Sequence, residues 1–191
     1  LIFPFDAYSS SIDGDDWYQY ARDLVVIGGS SYGLPFEGDA LVLVNRPDVI
    51  GNQPTTWQDV LKRGEPLSFP AADPLALVPM AIYQSAGGDL GKTARIPQVD
   101  SEALLETFEL FADGGSAGVF PLWTTQLQKD ADAWTAYNEL RTNWVITWSS
   151  RFLQNPSEDS TALPLPGFGE PVGTLLDGWI WCITDPQSDR N

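Results

Sequence analysis

Carboxylates beside aromatic rings are the residues of this sequence whose types and spacing best suit chemistry. They occur at Asp15-Asp16-Trp17, at Glu37 to Asp39 beside Phe36, and at Asp177 near Trp179. A glycosidase uses two carboxyl groups, one as acid and the other as base or nucleophile. With 26 acidic residues in the chain, such neighbours also arise by chance. An acidic carbohydrate-active hydrolase with paired carboxylates is therefore an alternative hypothesis.

The segment Gly29-Ser30-Ser31-Tyr32-Gly33 has the G-x-S-x-G spacing that carries the nucleophile of many hydrolases. That elbow leads from a strand into a helix and needs a histidine partner. Here Leu34-Pro35 follows, and the sequence contains no histidine. We interpret the segment as a turn, and esterase chemistry is excluded.

The lack of histidine and the single Cys182 exclude further classes of site. Ser-His-Asp and Cys-His catalysis, histidine-ligated metals and internal disulfides cannot be built from these residues. We accordingly predict no catalytic residue, no metal and no cofactor. Cys182 lies in an apolar run, 179–183, which predicts a buried strand with an inert thiol.

The net charge of the chain is −16, from 10 Lys and Arg against 26 Asp and Glu. A field of this sign repels phosphate backbones and anionic bilayers. We therefore expect neither nucleic acid nor a membrane surface among the partners.

Tryptophan 148 is the aromatic residue that the pattern places best for a ligand. The segment Trp144 to Trp148 predicts a strand, and alternation along it suggests that one tryptophan near its carboxyl end is exposed. In open α/β sheets, ligands bind at the carboxyl ends of strands, so Trp148 and the following Ser149 and Ser150 are binding candidates. Aromatic faces suit the C–H faces of sugar rings, while carboxylates and amides bind hydroxyls.

Helices and strands alternate along the chain, which indicates an α/β fold with a mixed sheet flanked by helices. We predict helices at 13–24, from a capping box at Thr55 and Gln58 to about 63, from Asp73-Pro74 to Gly87-Gly88, at 101–112 and at 130–141. We predict strands or extended segments at 24–27, 32–36, 40–45, 67–69, 144–148, 162–165 and 179–184.

Three local features carry further expectations. Glu37-Gly38 predicts a bend between two extended segments. Pro79 predicts a kink, or a helix boundary just before it. In the helix at 101–112, an apolar stripe of Leu104, Leu105, Phe108, Phe111 and Ala112 is expected to face the core, and Gly114-Gly115 to end the helix.

Two segments resemble the family 1 extracellular solute-binding proteins, the maltose-binding-protein-like sugar receptors of ABC importers. The first is YGLPFEGDALVLVNR, residues 32–46, and the second is PTTWQDV, residues 54–60. In that family, the first segment crosses from the N-terminal to the C-terminal lobe, and the Thr-Trp motif opens a helix of the C-terminal lobe. The likeness continues through residues 83–88, 144–152 and 163–179.

This resemblance implies one lobe, the C-terminal one, of a class II periplasmic-binding-protein-like fold. Residues 37–191 would form that lobe, and residues 1–36 an interlobe or N-terminal-lobe remnant packed on it. Most of the family's N-terminal lobe and its last helices have no counterpart, so we expect a domain fragment. With half of the contacts, the isolated chain is expected to bind its sugar poorly or undetectably.

The resemblance also implies a ligand site. The residues that match ligand-facing positions, together with their neighbours, are Glu37, Asp39, Asp73, Trp148, Ser149 and Trp179. Asp39 matches a polar hinge group and Asp73 a cleft acid, while Trp148 and Trp179 are candidates for sugar stacking. The apolar Pro74-Leu75 and the Ser149-Ser150 loop depart from the family pattern, which leaves the preferred sugar open.

The implied function is the non-catalytic, carbohydrate-binding component of an ABC importer, outside the cell or in the periplasm. Its partners would be a small carbohydrate, the membrane permease and the N-terminal lobe of the same protein, and the full-length protein would be anchored as a lipoprotein. Two alternatives stay open beside the hydrolase. One is a solute-binding protein for a ligand that is not a sugar, and the other is a protein-interaction domain with a flat apolar patch.

Overall fold

The structure is a computed structural model that describes residues 2–4, 12, 16–89, 99–169 and 174–184. Its helices are α1 Gln19–Val25, α2 Pro47–Ile50, α3 Trp57–Arg63, α4 Leu77–Ser85, α5 Ser101–Ser116, α6 Asp130–Asn138 and α7 Ser149–Gln154, with a 3-10 helix at Leu122–Gln126. Its strands are β1 Val26–Ile27, β2 Ser30–Ser31, β3 Leu34–Asn45, β4 Leu67–Ser68, β5 Trp144–Trp148, β6 Thr161–Leu163 and β7 Leu176–Trp181. Within the described ranges, no helix is long and apolar enough to cross a lipid bilayer.

The chain forms two compact units. The first comprises Leu1–Asp39 with Leu176–Asn191, and the second comprises Ala40–Leu175. Strand β3 runs through the boundary, so its early residues belong to the first unit and its later residues to the second. The proposed division into a remnant at 1–36 and a lobe at 37–191 stays a prediction.

The second unit is built on a mixed sheet with strand order β4-β5-β3-β6. Strands β4 and β5 are parallel, whereas β3 runs antiparallel to both β5 and β6. Leu41 and Leu43 of β3 belong to one buried cluster, and Val44 belongs to another. Because successive side chains point to opposite faces of a sheet, this split means that both faces are covered. The predicted mixed sheet flanked by helices is confirmed.

Helices cover the two faces of this sheet unequally. The larger cluster takes residues from β3 and β5 and from α3, α4 and α5, including Trp57, Ile82 and Leu110. The smaller cluster packs Trp134 and Tyr137 of α6 against the other face. This arrangement explains why β5 is buried along its length except at Trp148, its last residue. The expected exposure of one tryptophan near the carboxyl end of β5 is met by Trp148, because of its place at the strand end and not because of alternation along the strand.

Helix α3 begins one residue later than the sequence predicted. Thr56, not Thr55, is the N-cap, and its Oγ1 accepts a hydrogen bond from the Asp59 amide at 3.2 Å, while the Asp59 carboxylate accepts one from the Thr56 amide at 3.3 Å. The Trp57 amide donates to the Gly167 carbonyl at 2.9 Å, which fixes this register from outside the helix. The capping box is thus Thr56 with Asp59 instead of Thr55 with Gln58.

Thr56→Ala is expected to lower the free energy of unfolding by about 1 kcal/mol, the usual cost of losing an N-cap oxygen. Urea unfolding followed by circular dichroism measures this loss. Thr55→Ala is the matched control: Thr55 precedes the cap and its hydroxyl makes only a long, exposed hydrogen bond to the Asp59 carboxylate, at 3.5 Å, so this variant should cost clearly less. Equal losses for the two variants would restore the register that the sequence suggested.

The cap also sets the pH dependence of this loss. The Thr56 side chain, with smaller help from backbone amides, holds the pKa of Asp59 below its ordinary value. The ionised carboxylate therefore stabilises the fold above the ordinary pKa of aspartate, and this contribution disappears as the pH falls through the lowered pKa. The difference between native chain and Thr56→Ala should accordingly shrink on acidification.

Helix α5 differs from its prediction in length and in orientation. It continues through Gly114-Gly115 to Ser116. Gly114 is buried because the Phe120 ring lies where a Cβ would stand, so this glycine serves packing and not helix termination. The side chains that α5 buries are Ala103, Thr107, Leu110 and Gly114. Of the apolar stripe expected in the core, Phe111 packs against the larger core cluster, whereas Leu105 and Phe108 are 57% and 60% exposed.

Helix α4 starts at Leu77, two residues before Pro79. The missing amide of Pro79 thus falls in the first turn, where amides have no partner within the helix. This placement agrees with the predicted boundary just before Pro79 and requires no kink.

In the first unit, β3 continues through Glu37-Gly38 without the predicted bend. Gly38 leaves room for the Tyr20 side chain of α1, which would have to move if a Cβ were added. Strand β7 pairs with β3, but Trp179 is 72% exposed and Cys182 lies beyond the strand, half-buried. The predicted burial of the run at 179–183 was therefore wrong, whereas the strand predicted at 179–184 is present as β7, shifted to Leu176–Trp181. Of the helix predicted at 13–24, the structure shows the part from Gln19 as α1, and residues 13–15 lie outside the described ranges.

Candidate functional site

A cavity of about 250 Å³ opens at the carboxyl end of β5 in the second unit. Its apolar wall includes Leu41, Leu77 and Ile146. Its polar and aromatic lining is Asp73, Gln128, Lys129, Asp130 and Trp148. Two of the predicted binding residues, Asp73 and Trp148, thus meet in one cavity.

Trp148 is placed by the end of β5 and by the start of α7. Trp148 is the N-cap of α7. Its ring packs against the larger core cluster while remaining partly exposed. Trp144, four residues earlier on the same strand, is fully buried. A flat ring that is supported on one side and open on the other can stack on an apolar ligand face.

Asp130 holds this end of the strand in place. Its carboxylate accepts hydrogen bonds from the Thr147 hydroxyl at 2.6 Å and from the Trp148 amide at 3.4 Å, and it forms an ion pair with Arg151. Asp130 therefore joins the start of α6 to β5 and to α7. Sequence reasoning identified it only as a helix start, because the contacts to Thr147 and Arg151 span 17 and 21 residues.

Asp73 lines the cavity from the segment of chain just before α4. Its two carboxylate oxygens accept hydrogen bonds from the Leu75 amide at 3.0 Å and from the Leu77 amide at 3.3 Å. The predicted helix start at Asp73-Pro74 was therefore wrong: α4 begins at Leu77 with Ala76 as its N-cap, and Asp73 accepts the Leu77 amide from outside the helix. A carboxylate has about four acceptor positions, so Asp73 can still accept hydrogen bonds from a ligand in the cavity.

The remaining predicted residues are distributed differently. Ser149 opens α7, and its hydroxyl accepts a hydrogen bond from the Ala40 amide at 3.2 Å. Glu37, Asp39 and Trp179 belong to the first unit. There, Glu37 is exposed and lines a separate cavity of about 250 Å³, and Asp39 is half-buried.

The cavity in the first unit is rich in aromatic side chains. Its lining includes Asp16, Trp17, Tyr18, Tyr20, Phe36 and Glu37. Trp179 is not in this lining, and Asp15 of the proposed carboxylate pair lies outside the described residues. Among the residues that the structure describes, no cluster of histidine, cysteine, aspartate and glutamate could hold a metal ion.

Solved structures share this fold. The chain aligns with maltose-bound MalE3 of T. maritima at a TM-score of 0.75 and 18% identity, over 98% of this chain and 55% of that one. It aligns with a solute-binding protein of an ABC transporter from Thermotoga lettingae, bound to α-D-tagatose, at 0.72 and 20%, over 95% and 53%. It aligns with the GacH receptor of Streptomyces glaucescens, studied with acarbose, at 0.70 and 17%, over 95% and 51%.

These similarities establish that the chain has the fold of about half of a maltose-binding-protein-like solute-binding protein, as the fold-class prediction expected. The chain spans about half the length of the structures it matches. No family model matches the sequence, and no curated protein matches it.

Proposed function

We propose that this chain contributes the cavity at the carboxyl end of β5 to the carbohydrate-binding site of an ABC-importer solute-binding protein. The observation that carries the proposal is that Asp73 and Trp148 line one cavity in a fold whose solved examples hold maltose and tagatose. The sequence had singled out both residues as ligand-facing.

The cavity offers the two kinds of contact that a sugar needs. The partly exposed Trp148 ring supplies a flat apolar face for the C–H groups of a pyranose. Asp73, Gln128 and Lys129 supply acceptors and donors for the hydroxyls around the ring. An apolar wall with a few convergent polar groups is typical of a small-molecule site.

The wider role follows from the same proposal. The chain is a non-catalytic receptor that acts outside the cell or in the periplasm, with Asp39, Ser149, Glu37 and Trp179 as further ligand-facing candidates. A second lobe of the same protein closes over the sugar, and the closed form is presented to the membrane permease. Lipoprotein anchoring of the whole protein belongs to this proposal.

Titration with sugars, followed by the indole N–H signals of the tryptophans in NMR spectra, tests the proposal. Comparison with Trp148→Phe identifies the signal of Trp148 among the eight tryptophans. Maltose and D-tagatose should each be added to about 100 mM, so that binding weaker than about 1 mM, a binding free energy of about 4 kcal/mol, is still detected. We expect one of these sugars to shift the Trp148 signal.

Trp148→Ala is expected to weaken the binding of that sugar by about tenfold or more, since the stacking surface is lost. The remaining tryptophan signals report the affinity. Trp181→Ala is the matched control, because it removes an exposed tryptophan of the first unit, and it should leave the affinity unchanged.

Three results would contradict the proposal in distinguishable ways. Turnover of an aryl glycoside would favour the hydrolase with paired carboxylates, for which Asp73 and Asp130 in one cavity are the candidates. Shifts of the Trp148 signal by amino acids or peptides, but not by sugars, would favour a solute-binding protein for another ligand. Shifts confined to other tryptophans would place the site elsewhere.

A further inference from the structure

The cavity of the first unit, of about 250 Å³, lies between α1 and the early part of β3. All of its lining residues belong to this unit. Helix α1 approaches β3 closely because the Tyr20 ring lies over Gly38, in the place that a side chain would take. The cavity shares no lining residue with the proposed sugar cavity, so a ligand bound here is independent of the proposed function.

Four aromatic side chains line this cavity. Trp17, Tyr18 and Tyr20 lie in or just before α1, and Phe36 lies on β3. The rings of Tyr18 and Tyr20 are stacked, with their centroids 6.2 Å apart and their planes at 20°. The face of an aromatic ring is negative and attracts a cation placed over it, and this attraction is strongest for tryptophan. The lining therefore suits a positively charged ligand with an apolar body.

The charged side chains of the lining are both carboxylates. Asp16 lies before α1 and Glu37 lies on β3, so each of the two segments that form the cavity contributes one acid. Within the described part of the chain, neither carboxylate forms an ion pair, and the lining contains no lysine or arginine. Arg22 of α1 is not in the lining, and its guanidinium donates to the Trp17 carbonyl at 3.0 Å.

The charge of the whole first unit favours the same kind of ligand. Its sequence contains two bases, Arg22 and Arg190, and the residues directly before Asp16, numbers 5–15, contain none. A negative field of this kind concentrates cations near the surface. A metal ion is less suited, because the described residues offer no group of acids, histidines or cysteines that could hold one. We propose that this cavity binds a small organic cation of the quaternary ammonium class, with rings against its apolar substituents and carboxylates near its charge.

The test titrates the complete 191-residue chain with choline, whose trimethylammonium group is the probe. The matched control ligand is dimethylbutanol, the uncharged analogue in which carbon replaces the nitrogen of choline. The indole N–H signal of Trp17 in NMR spectra, identified by its loss in Trp17→Phe, reports binding. We expect choline to shift this signal saturably and less strongly at high salt. Dimethylbutanol should bind about tenfold more weakly or less, because it lacks the attraction to the rings and carboxylates.

Three variants separate the contribution of the rings from that of the charge. Glu37→Gln should weaken choline binding by about threefold or more and flatten its salt dependence. Asp23→Asn, which removes an exposed acid of α1 outside the lining, should leave the affinity unchanged. Tyr18→Leu keeps apolar bulk without a ring and should also weaken choline by about threefold or more. All three positions are exposed, and thermal unfolding checks that each variant folds.

Several outcomes would overturn the proposal. Equal affinities for choline and dimethylbutanol would show a cavity that selects apolar bulk and not charge. Equal losses in Glu37→Gln and Asp23→Asn would show attraction by net charge alone. Shifts of the Trp17 signal by maltose or D-tagatose, but not by choline, would assign this cavity to a carbohydrate. Choline that moves the Trp148 signal and leaves Trp17 unchanged would place the cation in the other cavity.

Discussion

Trp57→Ala lowers the free energy of unfolding by about 3–5 kcal/mol, the expected cost of emptying the space of a fully buried tryptophan. The indole lies in the larger core cluster, where α3, α4 and α5 meet the sheet. Its N–H donates to the Ser85 hydroxyl at 3.4 Å, and that hydroxyl in turn donates to the Ile82 carbonyl at 2.7 Å. The variant thus loses both packing and a link between α3 and α4.

Urea unfolding, followed by far-ultraviolet circular dichroism, measures this loss. A domain has a total stability of about 5–15 kcal/mol, so Trp57→Ala should leave the second unit marginal at room temperature. Trp57→Phe keeps a ring, so its free energy of unfolding should lie between those of the native chain and Trp57→Ala. Trp179→Ala makes the same chemical change at a position that is 72% exposed and should cost about 0.5 kcal/mol or less. Similar losses for Trp57→Ala and Trp179→Ala would contradict the burial that the structure assigns.

The fold class was predictable because it depends on the order of elements, which local patterns report well. Helices α3, α5 and α6 and strand β5 all begin within a few residues of their predicted starts. Exact boundaries depend on distant partners. Thr55 and Thr56 can each cap a helix, and the choice of Thr56 goes with the bond from the Trp57 amide to Gly167, far along the chain.

Burial was predicted less well than secondary structure, for a physical reason. An apolar stripe shows that a helix has an apolar face, but not which neighbour covers it. In α5, the small residues Ala103 and Gly114 face the core because they permit close packing, and Gly114 makes room for the Phe120 ring. The larger Leu105 and Phe108 are left exposed.

Glycine was misinterpreted at two positions for a related reason. Gly38 and Gly114 were predicted to bend or end elements, yet each lies within one. In both cases a ring, of Tyr20 or Phe120, occupies the place of a Cβ. Sequence alone does not separate a glycine that supplies a turn from a glycine that admits a neighbouring ring.

Two residues of the candidate site, Trp148 and Asp130, also differ in how far the sequence predicts their place. The place of Trp148 in the cavity was predictable because the sequence marks it as the last residue of a strand in an open α/β sheet. Asp130 was not, because its contacts with Thr147 and Arg151 arise only when α6, β5 and α7 come together. A residue that positions others leaves no local pattern in the sequence.

Asp130→Ala is therefore the variant that connects the stability of the second unit to its proposed site. It removes the acceptor of the hydrogen bond from the hydroxyl of Thr147, which is fully buried. It also removes the ion-pair partner of Arg151. It also removes a negative charge at the start of α6, where the helix dipole favours one. We expect the free energy of unfolding to fall by about 2–4 kcal/mol, discounted for the one-third exposure of Arg151.

The same variant should disturb Trp148 without touching its ring, since the Trp148 amide loses its acceptor. Its indole signal should move in the absence of sugar, and sugar affinity should fall although the stacking ring is still present. Asp130→Asn keeps an oxygen for Thr147 and should restore part of the stability, but not the ion pair with Arg151. Glu139→Ala, at the C-cap of α6, is the control that removes an exposed acid where the helix dipole disfavours one, so it should not lower the free energy of unfolding and should leave the Trp148 signal and the sugar affinity unchanged.

The two readouts separate a positioning role from a purely structural one. If Asp130→Ala destabilises the chain but leaves the Trp148 signal and the sugar affinity unchanged in the folded protein, Asp130 supports only the packing of α6. If both readouts change together and Asp130→Asn recovers them in part, the carboxylate sets the geometry of the strand end. In that case, the cavity depends on Asp130 for its shape as much as on Trp148 for its contact surface, because one residue orders the other.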